Sequence, residues 1–118
     1  GVWQGRLVGQ PAIIGHSFGG ATVIIAVQTS AVTDDMAGSE LSESDFCCGI
    51  GLDCLVDPVP DHLLHRKSRR PLLFVNGRAG KLCSTAWWQE SRAQLERIPG
   101  QQRSVHLATA AHLDFCDV

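Results

Sequence analysis

The sequence predicts an α/β fold, a parallel sheet with helices on both of its faces. Short, continuously apolar runs alternate along the chain with longer segments of helical spacing, which indicates strands connected by helices. Strands that are apolar throughout, rather than at every second residue, are typical of parallel sheets covered on both sides. The composition is that of an ordinary globular domain, since 44% of the 118 residues are hydrophobic and 19% are charged.

The strand candidates are short apolar runs, each bounded by polar residues, glycine or proline. They comprise residues 11–15, 46–52, 72–77 and 104–108. Each run has the length expected of a buried strand.

The segments between these runs predict the helices and loops. Residues 18–28 form an apolar helix, rich in β-branched residues and therefore stabilised by packing. Residues 84–98 form a second helix, which Ser84 or Thr85 caps and Pro99-Gly100 ends. Residues 29–45 are typical of a long surface loop, and residues 55–70 of a loop with room for one short helical turn.

Charge, hydropathy and cysteine spacing indicate neither a nucleic-acid-binding nor a membrane-spanning protein, and they do not fix the compartment. The net charge of -2 gives no electrostatic basis for binding nucleic acid. No apolar run approaches the roughly 20 residues of a membrane span, and no leader segment is recognisable, so the compartment, secreted or cytoplasmic, stays open. The five cysteines lack C-x-x-C spacing, and their apolar surroundings favour buried thiols over disulfides.

Residues 15–19, Gly-His-Ser-Phe-Gly, lie between the first strand and the first helix. In this position G-x-S-x-G is a nucleophile elbow, a tight turn that exposes a serine above the sheet. It predicts Ser17 as the nucleophile of an α/β-hydrolase-type esterase or lipase, with Gly15 and Gly19 leaving room for the neighbouring strand and helix. The Phe18 N–H would point into the oxyanion hole, and His16 would line the pocket. The alternative is a glycine-rich turn in which Ser17 only caps the helix.

The acid and the base should follow Ser17 in the order of this fold, Asp or Glu and then His. Asp53 ends the second strand and is therefore favoured over Asp57, which lies within the following loop. His112 follows the last strand, where the base is expected, whereas His106 lies within that strand. Asp57 and His106 remain the competing candidates.

The sequence predicts neither a metal site nor a cofactor. His62 and His65 have H-x-x-H spacing, but no third ligand accompanies them. Acyl transfer through a serine, a histidine and a carboxylate needs no metal or organic cofactor.

Beyond the elbow, the chain resembles the platelet-activating factor acetylhydrolases, both the plasma and the type II intracellular enzymes. The similar segments are residues 15–23 (GHSFGGATV), 48–53 (CGIGLD), 71–76 (PLLFVN) and 112–117 (HLDFCD). They occur in the family's order and span nearly the whole chain.

The resemblance implies a calcium-independent serine esterase that removes short or oxidised sn-2 acyl groups from phospholipids. It implies Ser17 as nucleophile, Asp53 as acid, His112 as base and the Phe18 amide as oxyanion donor. It also implies a phospholipid substrate, with a membrane or lipoprotein surface as partner of the full-length protein. The chain departs from the family at residues 54–55, where Cys-Leu replaces an aromatic residue, in its longer 29–45 loop, and in the weakly matching segment 77–102.

The length predicts that residues 1–118 are the C-terminal part of a single, incomplete α/β-hydrolase domain. Domains of this kind commonly need about 200 residues or more. The second oxyanion amide comes from a loop after an earlier strand. We therefore expect the 118 residues alone to be inactive or nearly so. The alternatives are a general carboxylesterase acting on soluble esters and an inactive pseudo-enzyme.

Overall fold

The computed structural model describes residues 10–30, 46–78 and 84–115. In chain order, the strands and helices of these residues are β1 (Ala12–His16), α1 (Phe18–Ser30), β2 (Cys48–Leu52), α2 (Asp61–Leu64), β3 (Ser68–Asn76), α3 (Thr85–Arg97) and β4 (Gly100–His106), followed by a 3-10 turn (His112–Phe115). The described strands pair in parallel in the order β1-β2-β3-β4. This confirms the predicted α/β class.

Helix α1 packs closely against the sheet because a glycine of β2 leaves room for it. Val23 and Val27 of α1 are each 1% exposed. A Cβ on Gly49 would lie 2.6 Å from a methyl carbon of Val23 and 2.9 Å from one of Val27. The apolar helix is thus stabilised by burial, as its β-branched composition predicts.

Helix α3 begins and ends where the sequence predicts. The Ser84 side chain accepts a hydrogen bond from the Trp87 amide at 3.1 Å, which identifies Ser84 rather than Thr85 as the N-cap. Leu95 and Ile98, at the end of the helix, are almost fully buried in the core. Gly100 then begins β4 with a φ of 102°, a conformation that favours glycine.

The two long helices pack on the same face of the sheet. In β4, Gln102 donates from Nε2 to the Glu96 carbonyl of α3 at 2.8 Å. Gln102 is in register with Leu72, which is in register with Gly49 beneath α1. On the opposite face Ile14 is 61% exposed. The helices that the sequence predicts for this second face are not among the described residues.

Several element boundaries differ from the sequence prediction. Strand β3 begins at Ser68 and β4 at Gly100, each four residues earlier than predicted, and a short α2 lies within the predicted 55–70 loop. The apolar-run criterion detects buried strand centres, but the early parts of β3 and β4 are polar and pair with each other from Ser68 and Gly100 onward. Residues 31–45 of the predicted loop lie outside the described residues, and residues 29–30 belong to α1.

Of the described cysteines only Cys54 is buried, whereas Cys47 and Cys48 are half-buried, so a buried thiol is seen at one of these three positions. Cys47, Cys48 and Cys54 are free thiols, while Cys83 and Cys116 lie outside the described residues. No helix in the described part of the chain is long and apolar enough to cross a membrane.

Candidate active site

Ser17 lies in the turn between β1 and α1 with a backbone φ of 56°. A residue with a side chain is strained in this region by about 1–3 kcal/mol, so the surroundings must hold it there. They do so through backbone hydrogen bonds: the Ser17 amide donates to the Leu52 carbonyl at 2.9 Å. The Ser17 carbonyl accepts from the amides of Gly20 and Leu55, each at 3.0 Å. The strained serine is therefore fixed to the end of β2.

Two glycines make the turn sterically feasible, and one of them is not the predicted one. A Cβ on Gly15 would lie 2.1 Å from the Gly19 carbonyl oxygen, so this position requires glycine. A Cβ on Gly19 would meet no described atom within 4 Å, whereas one on Gly20 would lie 2.4 Å from Cys54 Sγ. Among the described residues it is therefore Gly20, rather than the predicted Gly19, that leaves room, because the loop after β2 packs against it.

His112 lies between Ser17 and Asp53 and contacts both. Its Nε2 is 2.9 Å from Ser17 Oγ, and its Nδ1 is 2.5 Å from Asp53 Oδ2. An ionised carboxylate only accepts, so Nδ1 carries the proton and Nε2 is left as the acceptor for the serine hydroxyl. The arrangement can take a proton from Ser17 and stabilise the resulting imidazolium, as nucleophilic hydrolases require.

Asp53 occupies this position because β2 ends directly before it. Its φ is 43°, and its amide donates to the Val75 carbonyl of β3 at 2.8 Å. The carboxylate is 7% exposed, and its second oxygen, Oδ1, accepts from the Gly77 amide at 3.0 Å. A buried carboxylate needs such partners, and here the end of β3 supplies one of them.

The competing candidates make other contacts. Asp57 accepts a hydrogen bond from Trp87 Nε1 at 3.0 Å and is exposed. His106 lies 3.0 Å from Glu96 Oε1 and also contacts Arg92, both on α3. Neither contacts His112 in the described structure.

Among the described residues, His62 and His65 have no third metal-ligating side chain beside them. Both lie on or beside the short helix α2 and are exposed, and His65 Nδ1 is 2.9 Å from the Asp61 carbonyl oxygen. Within residues 10–30, 46–78 and 84–115, no group of three metal-ligating side chains is found.

The Phe18 amide is the first of α1 and lies directly after Ser17. The first amides of a helix lack intrahelical acceptors, and the helix dipole favours negative charge there. This amide is thus suited to a developing oxyanion. The second oxyanion amide, expected from a loop upstream of β1, lies outside the described residues.

A cavity of about 320 Å³ adjoins His112 and Asp53. Half of its other described lining residues are apolar or aromatic and half are polar or charged: Cys54, Leu55, Asn76, Arg78, Trp87, Trp88, Ser91 and Arg92. Burial, and secondarily the charge of Asp53, raise the pKa of the Cys54 thiol to about 12. Cys54 therefore stays protonated and does not compete with Ser17 as a nucleophile.

His16, predicted to line the pocket, is not among the described residues of this cavity. Its Nε2 lies 2.9 Å from the His112 carbonyl oxygen, and its ring packs against the His112 and Phe115 rings. Sequence reasoning missed this contact, because nothing in the pattern beyond the adjacency of His16 to Ser17 points to a residue 96 positions away.

Comparison with known proteins places this chain in a family. Residues 7–116 match the sequence model of the family described as platelet-activating factor acetylhydrolase, isoform II. The chain belongs to this family. The resemblance noted from the elbow and the three other segments is thereby confirmed.

Individual platelet-activating factor acetylhydrolases are similar to about half of the chain. The protein from Gallus gallus is 40% identical over 65 residues, and those from Cavia porcellus and Bos taurus are each 48% identical over 66 residues. Each alignment covers 55% of this chain and 12% of the relative. The chain thus matches a small part of the length of these relatives.

Proposed function

We propose that the chain carries the catalytic triad of a serine esterase that hydrolyses short or oxidised sn-2 acyl esters of phospholipids. The observation that carries this proposal is the hydrogen-bonded series Ser17–His112–Asp53, with links of 2.9 and 2.5 Å, in a member of this family. The chain would be the C-terminal part of a single α/β-hydrolase domain.

In the first step Ser17 Oγ attacks the ester carbonyl carbon while His112 Nε2 takes the hydroxyl proton. The carbonyl oxygen becomes an oxyanion, which accepts a hydrogen bond from the Phe18 amide and from a second amide outside the described residues. Asp53 stabilises the imidazolium through the Nδ1–H bond and holds the ring in this tautomer.

In the second step the imidazolium donates its proton to the leaving glycerol oxygen as the bond between that oxygen and the acyl carbon breaks. A lysophospholipid departs, and the acyl group stays as an ester on Ser17. Water then attacks this ester, His112 again acts as base and then as acid, and the carboxylic acid is released.

Two exposed apolar side chains beside the triad support a lipid substrate. Phe18, next to Ser17, is 64% exposed, and Leu113, next to His112, is 56% exposed. Exposed apolar side chains are typical of surfaces that contact lipid or protein. The full-length protein would therefore work at a membrane or lipoprotein surface.

The test compares three substrates with the complete gene product that contains this chain. They are a phosphatidylcholine with an sn-2 acetyl group, the same lipid with a long sn-2 chain, and a soluble acetate ester. We expect preference for the sn-2 acetyl lipid, and loss of all turnover with Ser17→Ala but not with the control Thr85→Ala. Faster turnover of the soluble ester than of the lipid would instead indicate a general carboxylesterase, and unaltered turnover by Ser17→Ala would refute the proposal.

A further inference from the structure

His16, the last residue of β1, contacts the backbone of the proposed base as well as its ring. We infer that His16 is a positioning residue, which holds the turn carrying His112 at the distance from Ser17 that proton transfer requires. This inference rests on the proposed function, because it assigns a task within the same site. It adds to the triad a residue that neither reacts nor lines the adjoining cavity.

The direction of the hydrogen bond follows from its atoms. The His112 carbonyl oxygen only accepts, so the Nε2 of His16, 2.9 Å away, must carry the proton and donate it. Because Nε2 is committed to this carbonyl, it is not available to take the proton of Ser17. The role of His16 is therefore to hold the base in place.

Within the described residues, few other hydrogen bonds attach the turn that carries His112 to the sheet. It is four residues long and has no buried residue. The segment before it is tied to the end of β3 by two backbone hydrogen bonds, from Leu107 to Asn76 at 2.8 Å and from Arg78 to Ala110 at 2.7 Å. The hydrogen bond from His16 holds the first residue of the turn, His112, to the end of β1, directly before the nucleophile Ser17.

Ring packing adds a second restraint at the same place. The ring centroids of His16 and His112 are 4.6 Å apart, with planes inclined by 39°. The Phe115 ring, at the other end of the turn, lies 6.0 Å from His16 and closer to parallel, at 28°. His16 thus contacts both ends of the turn.

This restraint matters because His112 must satisfy two short distances at once, to Ser17 and to Asp53. Displacing a reacting group by about 1 Å can lower a rate on the order of 100-fold. Ser17 follows His16 directly in the chain, so any movement of the elbow is transmitted to the turn of the base. The nucleophile Ser17 and the base His112 would therefore move together.

Three substitutions separate the hydrogen bond from the ring. His16→Gln keeps an N–H donor at a similar reach, His16→Phe keeps a ring without a donor, and His16→Leu removes both. His62→Leu, an exposed histidine of α2, is the matched control. The rate of fluorophosphonate labelling in the complete gene product measures triad competence without contributions from substrate binding, and kcat and KM on the acetyl lipid are measured in parallel.

We expect His16→Phe, which keeps the ring, to lower labelling and kcat by about 10- to 100-fold with little change in KM, and His16→Leu to lower both at least as much. His16→Gln should retain most of both rates, and His62→Leu all of them. Wild-type rates in His16→Phe, or a loss in His16→Gln as large as in His16→Phe, would overturn the inference. If His16→Leu does not fold, the comparison of His16→Gln with His16→Phe still tests whether the hydrogen bond positions His112.

A second readout separates failure of this inference from failure of the proposed function. The Nδ1–H proton between His112 and Asp53 gives a low-field proton resonance whether or not the protein turns over substrate. It should persist in His16→Gln and broaden or vanish in His16→Phe. If wild type is not labelled but this resonance behaves as expected, the proposed function fails and the positioning role stands; an unchanged resonance in His16→Phe contradicts the positioning role.

Discussion

Replacing Asp53 by asparagine tests which carboxylate orients the base. In the structure Asp53 Oδ1 accepts from the Gly77 amide at 3.0 Å, and Oδ2 accepts from His112 Nδ1 at 2.5 Å. The side-chain oxygen of the introduced asparagine would stay on the Gly77 amide, which leaves its NH2 group facing Nδ1. To avoid two opposed N–H groups, His112 must move its proton to Nε2, and it then cannot accept the proton of Ser17.

The magnitude follows from the loss of the correct tautomer. In a serine protease with the same arrangement, the equivalent change lowers kcat by about 10⁴-fold. At about 1.36 kcal/mol for each tenfold change, this corresponds to about 5.4 kcal/mol of transition-state stabilisation. The side chains are nearly isosteric, so the midpoint of thermal unfolding should change far less than the activity.

The assay is kcat on the sn-2 acetyl lipid together with the fluorophosphonate labelling rate, and the matched control is Asp57→Asn. Asp57 is exposed and bonds Trp87 rather than His112, so the control should stay within a few-fold of wild type. A loss below tenfold for Asp53→Asn, or a larger loss for Asp57→Asn, would refute the assignment of the acid.

Three further predictions follow from the elbow, the buried thiol and the exposed apolar side chains. Gly15→Ala would place a Cβ 2.1 Å from a backbone oxygen and should prevent stable folding. Gly19→Ala would meet no atom of the described residues within 4 Å and should leave the midpoint of thermal unfolding, followed by circular dichroism, equal or higher. Because the pKa of Cys54 is raised to about 12, only about one thiol in 10⁴ is ionised at pH 8, so iodoacetamide should alkylate Cys54 far more slowly than an unburied cysteine; rapid modification mapped by mass spectrometry would contradict its burial. Changing both Phe18 and Leu113 to serine should weaken hydrolysis of vesicle-bound lipid several-fold and leave soluble-ester hydrolysis unchanged, and equal losses on both substrates would exclude a lipid-contact role.

The fold was predictable where burial leaves a pattern in the sequence. The centres of β1, β2 and β3 are continuous apolar runs, and the Ser84 cap and the Pro99-Gly100 stop mark the ends of α3. The early part of β4 was missed because its side chains are polar and mostly exposed. Such residues pair through backbone hydrogen bonds, and this pairing leaves no pattern of residue types from which the strand could be recognised.

The site was predictable to the extent that it follows from topology. Ser17, Asp53 and His112 each follow a strand of a parallel sheet, and the carboxyl ends of such strands meet at one edge. The contacts of Gly20 with Cys54 and of His16 with His112 were not predictable. They depend on how separate loops pack against the elbow, and no local pattern encodes that packing.

The most direct test of the account is to locate the covalent adduct of a fluorophosphonate on the complete gene product. After reaction and proteolysis, mass spectrometry identifies the modified residue. We expect a single adduct on Ser17, which does not form in His112→Ala and forms at least about 1,000-fold more slowly in Asp53→Asn. An unmodified Ser17 in folded protein, or an adduct that forms equally well without His112, would contradict it.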